Sequence, residues 1–141
     1  SDELAKVCDA FVELIYRLLR RDSGSPTTIL EDIAQRSASL SLEKLVSKKK
    51  SDIEVVGRLY SPACYISDAW PSVLYFAYRY RDNAKRALTA NTNVGGDNVH
   101  RGFVLGAIMG LISEQPITSL YSKLLHKTQI EKQIQQALEA Q

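Results

Sequence analysis

The chain has no long apolar run. No stretch approaches the roughly 18 residues that a membrane-spanning helix requires, and the opening SDELAKV carries neither the basic nor the apolar region of a secretion signal. No membrane partner is expected, and the location expected is cytoplasmic. Charge of one sign is equally scarce, since 18 Lys and Arg stand against 16 Asp and Glu for a net charge of +2. The two signs are mostly interleaved, so no field builds up of the kind that holds nucleic acid. The one dense basic run, Lys48-Lys49-Lys50, reads as a solvated helix end. Cysteine is sparse too. Cys8 and Cys64 are far apart, lack metal-ligand spacing and stand in apolar surroundings, which predicts buried reduced thiols rather than a disulfide. Period-two alternation, internal repeats and low-complexity segments are missing, which argues against a sheet or a repeat array.

What remains is helix. With 141 residues, the chain suits one domain with a real core. From Asp2 to about Arg21, the apolar residues Leu4, Val7, Cys8, Phe11, Val12, Leu14, Ile15, Leu18 and Leu19 form the i, i+3, i+4 stripe of a core-facing helix. RDSGSPTT breaks it. Ser25 ahead of Pro26 is an N-cap with proline at the first helical position, and the helix it starts should run to about Ser39 with Ile29, Leu30 and Ile33 inward. LSLEKLVSKK and SDIEVVGRL are short amphipathic pieces. YSPACYISDAWPS is aromatic, broken by proline and aperiodic, so it reads as an ordered loop and as a wall for a site. PSVLYFAYRYR and NAKRALTANT are two helices joined by a polar turn at Asp82-Asn83. Further helices are expected near 115–126 and 128–140, the last docking through Ile130, Ile134 and Leu138.

The stretch NTNVGGDNVHRGFVLGAIMG, residues 91–110, carries the candidate chemistry. Gly95 and Gly96 permit backbone angles and close approaches that a side chain forbids, and the helix that follows opens with unpaired N–H groups. Asp97 can cap those groups or hold a cation. On a helix, Asp97, His100 and Arg101 share one face, which crowds an acid, an imidazole and a guanidinium together. Gly102, Gly106 and Gly110 form a flat stripe that would let another helix come close. Asp68, in YISDAWP, is either a helix cap or a second site residue. Trp70, Tyr75, Phe76 and Tyr78 read as core aromatics, and Glu31-Asp32 as a surface pair.

ALTANTNVGGDNVHRGFVLGAIMGL, with the preceding YISDAWPSVLYFAYRY, resembles the carboxy-terminal part of the ADP-ribosylglycohydrolase family, all-helical hydrolases that include the J1 crystallins; the match is good over about 60–112. The resemblance implies an all-α, orthogonal multi-helix bundle in which residues 1–141 form a single helical domain or partial domain. It implies magnesium held by a loop of the form N-x-GGD-x-D-T. Asn93, Gly95, Gly96 and Asp97 fit that pattern, whereas the second Asp falls on Val99 and the Thr on His100, so Asp97 alone carries over as a metal ligand. His100 is then the candidate general acid or base. Arg101 is the candidate clamp on a phosphate, and Asn93, Gly95, Gly96, Asn98 and Asp68 are candidate ligand contacts. The implied ligand is ADP-ribose or a related nucleotide sugar. The implied partner is a missing amino-terminal half or a second copy of the chain. Three functions follow: part of a hydrolase that cleaves ADP-ribose glycosidic bonds and is inactive as this chain alone, a non-catalytic crystallin-like or ADP-ribose-binding relative, and a helical protein-interaction module.

Overall fold

A computed structural model of the chain describes residues 2–20, 24–114 and 117–140. Among the described residues there are nine helices and no strand: α1 (Asp2–Arg20), α2 (Pro26–Ala38), α3 (Leu42–Ser47), α4 (Asp52–Val55), α5 (Ile66–Arg79), α6 (Ala84–Asn93), α7 (Asn98–Ile112), α8 (Thr118–Tyr121) and α9 (Lys127–Glu139). The starts follow local chemistry. Ser25 accepts a hydrogen bond from the Thr28 amide at 3.3 Å and Pro26 opens α2, whose end at Ser39 takes the left-handed conformation. Ser51 and Glu54 make a reciprocal capping box on α4, and the Asn83 amide oxygen caps α6 through the Arg86 N–H at 3.0 Å.

The centre of the bundle is α5. It packs on α1, α2, α3, α6 and α7, and every residue from Trp70 to Ala77 is buried. This corrects the expectation that YISDAWPS is a loop: α5 begins at Ile66 and runs straight through Pro71. No side chain caps the start of this helix and Pro71 interrupts its first half, yet burial of eight consecutive residues outweighs the one backbone bond that proline forfeits.

Several surfaces differ from expectation. On α1 the core ridge is Val7, Phe11, Leu14 and Leu18, while Leu4, Val12 and Leu19 are 48%, 66% and 64% exposed. The apolar stripe is wider than the contact it makes. Cys8 shares the outer row with Leu4 and Val12, and Cys64 lies in the bend before α5, so both are exposed free thiols rather than buried ones. The glycine row of α7 is not a tight helix contact: only Gly102 faces a neighbour, the Asn91 amide at 3.2 Å from an added Cβ, and Gly106 and Gly110 face open space. Of the helix expected near 115–126, residues 115–116 lie outside the described residues and the described part holds only α8, while α9 has no buried residue, with Ile134 and Leu138 51% and 62% exposed instead of docked. Glu31-Asp32 is structural. Glu31 accepts from the Leu42 and Glu43 amides at 2.9 and 3.1 Å and so starts α3, and Asp32 joins a cluster with Glu13, Arg17 and Arg36 that ties α1 to α2.

That cluster gives the fold an acid limb. Glu13 titrates below its ordinary value of 4.5, chiefly through the hydrogen bond from Arg36, and Asp32 below 3.8, chiefly through the one from Arg17. A carboxyl depressed in the folded state contributes stability above its unfolded value and loses it as pH falls through the folded one. The side chains are 41% and 43% exposed, which limits each pair to less than about 1 kcal/mol. Urea midpoints should therefore fall as pH drops from about 5 to 3, less steeply in Arg36→Gln, and the difference between the two proteins should vanish near 1 M salt.

Candidate functional site

The loop between α6 and α7 is built around two consecutive left-handed glycines, Gly95 at φ +71° and Gly96 at φ +64°. They are needed for different reasons. A Cβ on Gly95 would meet nothing, whereas one on Gly96 would stand 2.1 Å from the Pro62 carbonyl oxygen. Chain contact at that point is close because Pro62 accepts hydrogen bonds from the Asp97 amide at 2.9 Å and from Arg101 Nη1 at 2.8 Å.

Arg101 is the anchor. Only 2% exposed, it also donates Nη2 to the Gly95 carbonyl at 2.6 Å and Nε to Asn91 Oδ1 at 3.0 Å. Burial lowers its pKa and the nearby Asp97 charge opposes that, yet a guanidinium stays cationic and here rests on two carbonyls and an amide oxygen. Asn91 completes the joint by donating Nδ2 to the Asn98 carbonyl at 2.8 Å.

Asp97 stands at the N-cap of α7 but makes no side-chain cap bond. Its Oδ1 lies 2.5 Å from His100 Nδ1 instead. The carboxylate is 24% exposed and the imidazole 86%, so the pair forms a rim with His100 outermost. With Nδ1–H donated to the carboxylate, Nε2 carries the lone pair that a ligand meets.

Beside this rim lies a hollow of about 360 Å³, walled by Leu4, Val7 and Phe11 of α1, by Cys64, Ile66 and Trp70 around the start of α5, and by Asp97, His100, Arg101 and Val104. Trp70 is fixed on two sides, donating Nε1 to Ser37 Oγ at 2.8 Å and meeting Phe11 edge-on at 6.4 Å. The wall is mostly apolar, and its polar groups gather at the start of α7.

Asp97, His100 and Arg101 thus meet as the sequence suggests, although Arg101 spends its guanidinium on the loop itself. Gly95, Gly96 and Asn98 shape that loop, Asn98 Nδ2 donating to the Gly96 carbonyl at 3.3 Å. Asn93 lines a different hollow, between α4 and α6. Asp68 is not a cap: it sits in the first turn of α5, away from the lining of the hollow, and its carbonyl accepts from Ser72 Oγ at 2.7 Å. Trp70 is both the core aromatic and part of the site wall that its stretch suggests, whereas the roles of Asn91 and of the Pro62 carbonyl were not assigned from the sequence. Asn91 had a signal, because it extends the buried row Ala84, Ala87 of α6 as a polar residue on a core face.

Magnesium prefers near-octahedral oxygen coordination. Here, among the described residues, Asp97 is the one carboxylate on the hollow, its Oδ1 is engaged by His100, and the neighbouring Val99 offers no donor. Among the described residues no group of three or more His, Cys, Asp or Glu is arranged to hold a metal ion. These residues do not fit a magnesium pair.

A family model described as ADP-ribosylglycohydrolase matches residues 1–141, the whole chain. The chain belongs to that family, and the all-α bundle is consistent with it. The similarity therefore extends well beyond 60–112. Neither the curated proteins nor the solved structures yield a match. Among the described residues no helix is long and apolar enough to cross a membrane.

The two glycines separate conformation from contact. Gly95→Ala should cost about 1–2 kcal/mol, the penalty of a left-handed L-residue. Gly96→Ala adds overpacking of about 1–3 kcal/mol against Pro62. Urea unfolding of both variants checks the order, and equal losses would mean that the Pro62 contact gives way freely.

Proposed function

We propose that this chain is the ligand-binding, carboxy-terminal portion of an ADP-ribosylglycohydrolase-like hydrolase, and that by itself it binds ADP-ribose without turning it over. The observation that carries this is the Asp97–His100 pair at the rim of the hollow, standing at the start of a glycine-rich helix in a family whose chemistry is the glycosidic bond of ADP-ribose. His100 Nε2 is the group placed to take or give a proton at a ribose oxygen, and Asp97 holds the imidazole in the tautomer for that task. The Asp97 oxygen not engaged by His100 can accept from a sugar hydroxyl. The apolar wall at Trp70, Phe11 and Val104 suits the face of a ring.

One carboxylate and one imidazole supply orientation and a proton. They do not supply the second acid–base group that glycoside hydrolysis ordinarily employs. Turnover therefore belongs to an assembled site.

The surface for that assembly is the outer face of α1 and α7, which pack on each other and leave Val12, Tyr16, Val99 and Phe103 57–79% exposed. In a longer protein of the family the amino-terminal half seats there; alone, the chain turns this face on a second copy. A protein-interaction role is the second reading, favoured by the same exposed residues.

Calorimetry on the purified chain should give saturable ADP-ribose binding that survives chelator, weakened about tenfold or more by Asp97→Ala and by His100→Ala, with no sugar released. Absence of binding sinks the assignment, and hydrolysis by the isolated chain refutes the incomplete site. Light scattering should show a mass that rises above 15.8 kDa with concentration and returns to that value in Val12→Lys/Phe103→Lys with helicity retained. A concentration-independent monomer would overturn the exposed face as a contact surface.

A further inference from the structure

A second hollow, of about 470 Å³, lies between α4 and α6 and shares no residue with the first. Its wall is one face of α6, Lys85, Arg86, Thr89, Ala90 and Asn93, opposed by Asp52 and Ile53 of α4 with Tyr80 between them. The charge in it is uneven. Among the described residues Asp52 is the one carboxylate on the wall, and both its oxygens are occupied: Tyr75 donates its hydroxyl at 2.9 Å, Tyr80 donates at 2.6 Å, and Arg79 stands 3.6 Å away. The acid is neutralised from behind. By contrast, among the described residues neither Lys85 nor Arg86 takes part in an ion pair.

Arg86 is also pre-oriented. Its guanidinium carbon lies 5.6 Å from the centre of the Tyr80 ring, as does that of Arg79, so the ring is flanked by two cations and fixed by Asp52. A guanidinium stacked in this way loses little further freedom on gripping a planar or tetrahedral anion. Thr89 and Asn93, one and two turns along the same helix face, add a hydroxyl and an amide for hydrogen bonding. Ile53, Ala90 and Val94 supply an apolar side. The size falls within the usual range for small-molecule sites, roughly 300–1,000 Å³.

We infer that the α4–α6 hollow binds a phosphate-bearing small molecule, with Lys85 and Arg86 as its anion clamp and Thr89 and Asn93 as its orienting contacts. Unpaired cations beside a carboxylate already satisfied by its own side of the fold favour a ligand of negative charge. The site stands independently of the Asp97–His100 hollow.

Inorganic pyrophosphate is the probe, titrated into the isotope-labelled chain at constant ionic strength and followed by backbone amide shifts. Saturable shifts are expected over Lys85–Asn93 and Ser51–Ile53. Lys85→Gln and Arg86→Gln should each weaken binding about tenfold, the loss of one charge-assisted contact. Lys85→Arg should retain binding, and Asp97→Ala should leave it unchanged. Shifts that never saturate at millimolar concentrations, that centre on Lys48, Lys49 and Lys50, or that persist unchanged in Lys85→Gln would overturn the site. Because Lys85 is exposed, its variant tests the clamp without disturbing α6.

Discussion

Arg101 joins three stretches of backbone that would otherwise be independent: the segment at Pro62, the glycine turn at Gly95, and the end of α6 through Asn91. A planar guanidinium can address all three at once because its donors point in fixed and different directions, whereas a lysine ammonium is a single point. With the residue nearly fully buried, leaving those acceptors without a donor would cost on the order of 1–3 kcal/mol for each. The consequence reaches the rim directly. Asp97 hydrogen-bonds through its amide to the same Pro62 carbonyl that Arg101 holds, so the position of its carboxylate, and of the imidazole bound to it, is inherited from that joint.

A second constraint comes from α5. It links the two hollows: Trp70 near its start forms a wall of the first, and Tyr80, the residue just past its last turn, forms part of the second. The tyrosines at that end are held by one carboxylate. Burial and the bond to Asp52 push the Tyr75 and Tyr80 hydroxyls above the ordinary phenol range, so both remain neutral donors under all ordinary conditions. The second hollow is therefore framed by hydrogen bonds that do not titrate near neutral pH.

Where local chemistry decides, the sequence was informative. Ser25-Pro26, Asn83 and the glycine pair mark boundaries with side chains or angles that belong to those positions. Depth was harder to read. Asp97, His100 and Arg101 do share a helix face, but angular position does not say which way a long side chain turns, and Arg101 turns inward to the loop while His100 turns out. The same ambiguity affected Cys8, which sits on an apolar stripe broader than its contact, and the α7 glycines, whose spacing permits a close helix without supplying one. The start of α5 was hidden for another reason: no side chain caps it at Tyr65, its first turn is only partly buried, and Pro71 stands five residues inside it.

The lining of the first hollow bears on how the site works. A nucleotide sugar carries many polar groups, yet the polar side chains here cluster at one end, with hydrocarbon and thiols around the rest. Such a wall can orient one ribose and cover one ring face, but it cannot satisfy a pyrophosphate. If that ligand is the one proposed, the remaining contacts would come from a partner seated on the exposed rows of α1 and α7, since Leu4 belongs both to the hollow and to that outer row. On the proposed reading, ligand and partner would share that edge; a partner that supplies the missing polar contacts would tighten ligand binding, and the ligand would tighten partner binding by the same factor, because coupling between two sites is reciprocal.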